Sequence, residues 1–167
     1  MTTTLKPDLA EQALSGLRVM DAMHPGVLTC PIETPLRDVA RMLAGYNVHC
    51  LVVFGSEEEH ENGEERPWAV ISDLDLVGAA IHGGLEEHTA GGAAASPVVL
   101  ISGSDTLDRA AQLMHEHQTA HLLVVDPDTI HPVGVLSTLD VAAALVGEHV
   151  LSGPPRARRR TDREESD

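Results

Sequence analysis

The 167-residue sequence predicts an α+β fold in which one β-α-β-β-α unit is written twice and packs against its own copy. Three observations lead there. Two amphipathic segments stand 71 residues apart with their apolar positions in register, and a Val-rich run follows each. Each copy then closes on a further apolar strand that runs into Ser-x-x-Asp.

The copies open with short apolar stretches, Val27–Cys30 and Val98–Ile101, read as strands. Next, Leu36, Val39, Ala40 and Leu43 coincide with Leu107, Ala110, Ala111 and Met114. Spacings of i, i+3, i+4 and i+7 give a helix with one buried stripe. Thr34-Pro35 supplies an N-cap and first-turn pair for the first helix, and Asp105 can cap the second. Leu51–Phe54 and Leu122–Val125 are continuous apolar runs, as expected of strands buried on both faces.

The closing match pairs 67–75 with 132–140, and here the offset falls to 65, which places six extra residues in the first copy's loop. That loop, Gly55–Arg66, carries too much charge to pack and is expected to be a solvated hairpin tip. The last helices, Leu74–His82 and Leu139–Val146, run into Gly83-Gly84 and Gly147. One unit alone buries too little surface to be stable, so the copies must pack face to face. The resulting division is an N-terminal segment 1–17, a first domain 18–83, a linker 84–95, a second domain 96–150 and a disordered tail 151–167. Gly91-Gly92-Ala93-Ala94-Ala95 makes the linker flexible in this reading.

Composition narrows the functions. Residues 1–150 hold 22 acids against 6 Lys/Arg, a balance of −16, while the tail adds +1 to give the net −15. Such a body repels phosphate backbones and anionic membranes. With one Tyr, one Trp and one Phe it also lacks stacking surface for single strands. Nucleic acid and membrane are therefore not expected as partners. No stretch approaches 18 apolar residues and the first 16 show no signal-peptide pattern, so the expected location is cytoplasmic. Cys30 and Cys50 sit in apolar runs without a CxxC and read as reduced core thiols.

At this point the motifs resemble a known family. Met20-Asp21-Ala22-Met23 followed by Val27-Leu28-Thr29 is similar to the opening of a CBS domain. Ala69-Val70-Ile71-Ser72-Asp73-Leu74-Asp75 and Gly134-Val135-Leu136-Ser137-Thr138-Leu139-Asp140 resemble its closing signature. The likeness runs from Val19 to Val146. It implies a tandem, pseudo-twofold pair with two clefts, often dimerised, that hold AMP, ADP, ATP or S-adenosylmethionine, with no cofactor required. By position, Ser72 and Asp75 would serve one site and Ser137 and Asp140 the other, with Asp on the ribose hydroxyls and Ser near phosphate. Thr29 and Cys30 match the first-strand pocket wall of copy one, and Leu100 and Ile101 that of copy two. Where the family often carries Arg or Lys before its second strand, this chain has His49-Cys50 and Ala120-His121. Ala69 stands where Gly is usual, and its Cβ would narrow that cleft. With so few cations a triphosphate finds little compensation, so AMP or a cationic adenosyl ligand is expected to bind better than ATP.

Plainer accounts stand beside these. Ser-x-x-Asp is also a capping box, and a capped helix start can serve an anion as well. The ten histidines fit scattered surface positions better than a zinc site, since His115 and His117 face different ways and the helix should end before His121. His49 and His121 are candidate pH sensors. No nucleophile-base-acid set can be assigned, so the chain is not expected to be an enzyme. It reads as a sensing module that signals to a separate, unknown effector protein, or as a ligand-free dimerisation and interaction module.

Overall fold

The structure, a computed structural model, describes residues 14–55, 66–94 and 96–148. The charged loop 56–65 and the tail beyond 148 lie outside the described residues. In chain order the first half holds α1 (Val19–Ala22), β1 (His24–Pro25), β2 (Thr29–Pro31), α2 (Leu36–Tyr46), β3 (Cys50–Gly55), β4 (Arg66–Ser72) and α3 (Asp73–Ile81). The second half follows with α4 (Ala90–Ala93), β5 (Ser96–Pro97), β6 (Leu100–Ser102), α5 (Leu107–His117), β7 (His121–Val125), β8 (Pro132–Ser137) and α6 (Thr138–Leu145).

The repeat is real in three dimensions. β2 pairs parallel with β3 and β3 antiparallel with β4, and β6, β7 and β8 repeat the pattern. Even the irregularity recurs, between Val53 and Phe54 and between Val124 and Val125. Gly83, Gly84 and Gly147 adopt positive φ just past the closing helices, as the sequence expects of C-terminal stops.

What the repeat does not reveal is an exchange. The two sheets run β2-β3-β4-β5 and β1-β8-β7-β6, so each half lends its leading strand to the other half's sheet. Isolated bridges repeat this exchange, Arg18 with Thr106 and Pro35 with Thr89. The leaders also cap the long helices. Leu36 N donates to His88 O at 3.1 Å and Leu107 N to Leu17 O at 3.1 Å. This corrects the expected caps. Pro35 and Thr106 occupy the N-cap positions without a side-chain bond, and Asp105 instead accepts from Ser102 N at 3.2 Å. A main-chain carbonyl from the exchanged leader satisfies the orphan donor, so no capping side chain is needed.

The opening strands begin later than 27 and 98, although Leu28 O and Val99 O still accept from Val52 N and Leu123 N. Residues 90–93 of the expected flexible linker are helical instead: Thr89 caps the turn and Ala90 is fully buried. A Cβ at Gly91 would overlap Ile32 Cγ1, so only glycine permits this contact.

Each sheet packs its helices over one core. The first gathers Cys30, Leu36, Val39, Leu51, Val53 and Ile71. The second gathers Ile101, Leu107, Met114, Leu122, Val124 and Leu136. Val52, Val70 and Leu123 alternate with these, belong to neither core and are still buried. They form the opposite faces, where the two sheets meet. Every such Val or Leu contributes about 1.5–3 kcal/mol on full burial.

Candidate functional site

Both closing motifs sit where a strand at the seam turns into a helix. Ser72 ends β4 and pairs with Cys50, while Ser137 ends β8 and pairs with His121. The bland reading of Ser-x-x-Asp holds in full. Ser72 N and Oγ donate to Asp75 Oδ2 at 2.7 and 2.8 Å, and Asp75 N donates back to Ser72 Oγ at 3.4 Å. Ser137 N and Oγ donate to Asp140 Oδ2 at 2.7 and 2.7 Å, with Asp140 N returning at 3.3 Å. Each capping box uses one carboxylate oxygen and leaves the other to its surroundings.

Those surroundings differ. Asp75 is half-buried, whereas Asp140 is 2% exposed and is the buried charged residue of the described core. His24, from the exchanged strand β1, places Nε2 2.8 Å from Asp140 Oδ1. The approach is out of line for a hydrogen bond, and Oδ1 is left without an aligned donor. A buried carboxylate oxygen in that state costs free energy until something donates to it. Sequence reasoning missed His24, because the linear repeat assigns it to the half that does not contain Asp140.

His49 and His121 come together at the seam. His49 Nδ1 lies 2.8 Å from Asp73 Oδ2, and that hydrogen bond holds the Asp73 carboxyl below its usual range. Burial pushes the His121 imidazole down, against the pull of Asp73, Asp140 and Asp75. Desolvation pushes the Cys50 thiol up to about 12, with the Asp73 charge adding to it. Both cysteines are unpaired, Cys30 buried and Cys50 half-buried.

The expected pocket walls divide by strand alternation. Thr29 and Leu100 are exposed, while Cys30 and Ile101 turn inward and belong to the two helix-facing cores. Ala69 is 3% exposed and faces Pro97 of β5, whereas its counterpart Gly134 faces Pro25 of β1. An open groove of about 380 Å³ lies beside the second motif between α5 and α6, with Met114, His115, Thr119, Ala120, Thr138 and Val141 on its walls. It belongs wholly to the second half and is not the cleft between halves. Among the described residues no group of three or more His, Cys, Asp or Glu is placed to hold a metal ion. None of the described helices is long and apolar enough to cross a membrane.

The CBS domain family model matches residues 19–82 and 91–147. No curated protein matches the chain by sequence. Several solved structures match its fold. The CBS domain of a bacterial CNNM/CorC family Mg2+ transporter in complex with ATP has a TM-score of 0.66 at 17% identity, covering 83% of this chain and 94% of that one. A CBS domain protein from Pyrobaculum aerophilum complexed with AMP has a TM-score of 0.63 at 25% identity, covering 78% and 99%. Hypoxic Response Protein I with two coordinated zinc ions has a TM-score of 0.58 at 21% identity, covering 75% and 97%.

Proposed function

The chain belongs to the CBS domain family, as a tandem pair of the α+β fold, and from that premise we propose that it is a non-catalytic sensor of an adenosine-type ligand. The observation that carries this reading is the doubled carboxylate at the seam: each Asp spends one oxygen on its own helix start and keeps the second for a neighbour. A ribose diol is a fitting neighbour, since it offers two hydroxyl donors to one carboxylate. The AMP complex of the Pyrobaculum aerophilum protein supports the ligand class. In this assignment Asp75 and Asp140 take ribose, Ser72 and Ser137 stand near phosphate, and Thr29 and Leu100 flank the adenine. Cys30 and Ile101 contribute main chain only, because their side chains are committed to the cores.

In this assignment His49 and His121 stand toward the phosphate side, His49 bonded to Asp73 and His121 in the field of Asp73, Asp140 and Asp75. That acidic setting favours AMP or S-adenosylmethionine over ATP, because each added phosphate brings repulsion with little cationic compensation. Ligand occupancy shifts the packing of the halves and so changes affinity for a separate cytoplasmic effector, which requires the ligand to bind the two packings unequally. Thermal unfolding with each ligand tests this. A ligand at 100 times its Kd stabilises by about 2.7 kcal/mol. Stabilisation by AMP or S-adenosylmethionine, lost in Asp75→Asn with Asp140→Asn, is the expected result; no shift with any adenosine ligand rejects it.

A second reading, an interaction module with vestigial clefts, is favoured by one observation. Leu74, Val77 and Ile81 line an exposed face of α3, and Leu139 on α6 with Val146 just past its end repeats it. An apolar stripe on both pseudo-equivalent helices suits a second copy of the chain, which makes a homodimer part of either reading.

A further inference from the structure

The two motifs are near-copies in their capping bonds, yet their carboxylates are unequally accessible, and the cause is local. β1 lies against β8 with His24 opposite Val135 and Pro25 opposite Gly134. The strand comes this close only because residue 134 lacks a side chain: a Cβ there would stand 2.5 Å from His24 O and 2.8 Å from Met23 Sδ. At the matching place in the other sheet residue 69 is Ala, and the position matching His24 is Ser96, which has no imidazole. Thus both sheets seat a leading strand, β5 over Ala69 and β1 over Gly134, but only β1, in a seat that has no space for a Cβ, places an imidazole over Asp140.

We propose that His24 shuts the second cleft at its carboxylate, so that the module takes its adenosine-type ligand at Asp75 and fills Asp140 only when His24 is displaced. The inference rests on the nucleotide-sensing reading above. A ligand hydroxyl and the imidazole compete for one atom, Asp140 Oδ1: with Nε2 2.8 Å away and the Asp140 side chain only 1% exposed, a hydroxyl reaches that oxygen only if the ring moves aside. The imidazole makes a poor occupant. It approaches out of line, so the oxygen stays unsatisfied, and its side chain is 31% exposed on a two-residue strand. A hydroxyl in line would satisfy that oxygen, and the free energy so gained is available to displace His24. The halves therefore differ in threshold, one cleft open and one latched.

Calorimetric titration of the full chain with AMP tests this. The wild-type chain is expected to bind one AMP, with that site lost in Asp75→Asn and kept in Asp140→Asn. His24→Ser, which copies the residue of the other half, is expected to double the stoichiometry, and adding Asp140→Asn to it returns the count to one. Gly134→Ala gives the same doubling by pushing β1 outward, which covers the case in which His24→Ser does not fold. Two equal sites in the wild type, loss of its site in Asp140→Asn rather than Asp75→Asn, or a count still at one in His24→Ser and Gly134→Ala would each overturn the latch while leaving nucleotide sensing intact. No AMP uptake by any folded variant overturns both readings together.

Discussion

Gly91 and Ile32 are packed so tightly that a Cβ on residue 91 would overlap the Ile32 side chain. The pseudo-equivalent contact reverses the sizes. There Met20 from the first leader meets Gly103, with Met20 Cβ 3.5 Å from where a Gly103 Cβ would stand. Large meets small in both places only when the leaders are exchanged; unexchanged, Met20 would face Ile32 and the two glycines would face each other. The sequence thereby disfavours the wrong pairing of its own parts.

Gly91→Met should therefore destabilise the fold by about 1–3 kcal/mol, the usual range for overpacking. Ile32→Ala in the same chain should recover part of that loss. Urea unfolding of both single variants and the double variant gives the coupling, and strictly additive losses would contradict the contact.

The capping boxes make a second prediction. Ser72→Ala and Ser137→Ala should each cost ~1 kcal/mol in unfolding free energy, the typical value of an N-cap. Ser137→Ala should cost more, because Asp140 is the more deeply buried partner and loses one of its two donors from Ser137.

Acid should weaken the fold through His121. Its folded pKa is depressed, chiefly by burial, so the unfolded chain holds the extra proton first. Stability is complete above the ordinary histidine range and falls as pH drops through it. His121→Gln should flatten this part of the curve, giving a variant whose deficit against wild type shrinks between pH 7.5 and 5.5. Asp73, also lowered, acts further down: its contribution is present above the ordinary Asp range and is lost below it. Its exposure keeps that contribution small.

The thiol of Cys50 should be inert. With its pKa pushed up to about 12, almost none is thiolate at neutral pH, and the thiolate is the reactive form. Reaction with a thiol-specific disulfide reagent at pH 7.5 should be far slower than for free cysteine, and it should speed up in denaturant.

Disrupting the apolar stripe should separate the subunits without unfolding them. Leu74→Asp with Leu139→Asp replaces side chains that are 75% and 60% exposed in the single chain. Sedimentation is expected to show monomer for the double variant and dimer for wild type, with the secondary structure of the chain unchanged by circular dichroism.

Sequence alone determined a large part of this protein. Helical spacing in Leu36–Leu43 and Leu107–Met114, the Val-rich runs and the two Ser-x-x-Asp motifs placed the elements and showed that they are repeated, because periodicity and capping are local properties of the chain. Tertiary structure decided which half each leader belongs to, and so decided the surroundings of Asp140. His24 and Asp140 are 116 positions apart, and nothing local to either residue specifies their meeting. Only the seating of β1 on Gly134 brings them together, and that depends on how the two halves exchange their strands.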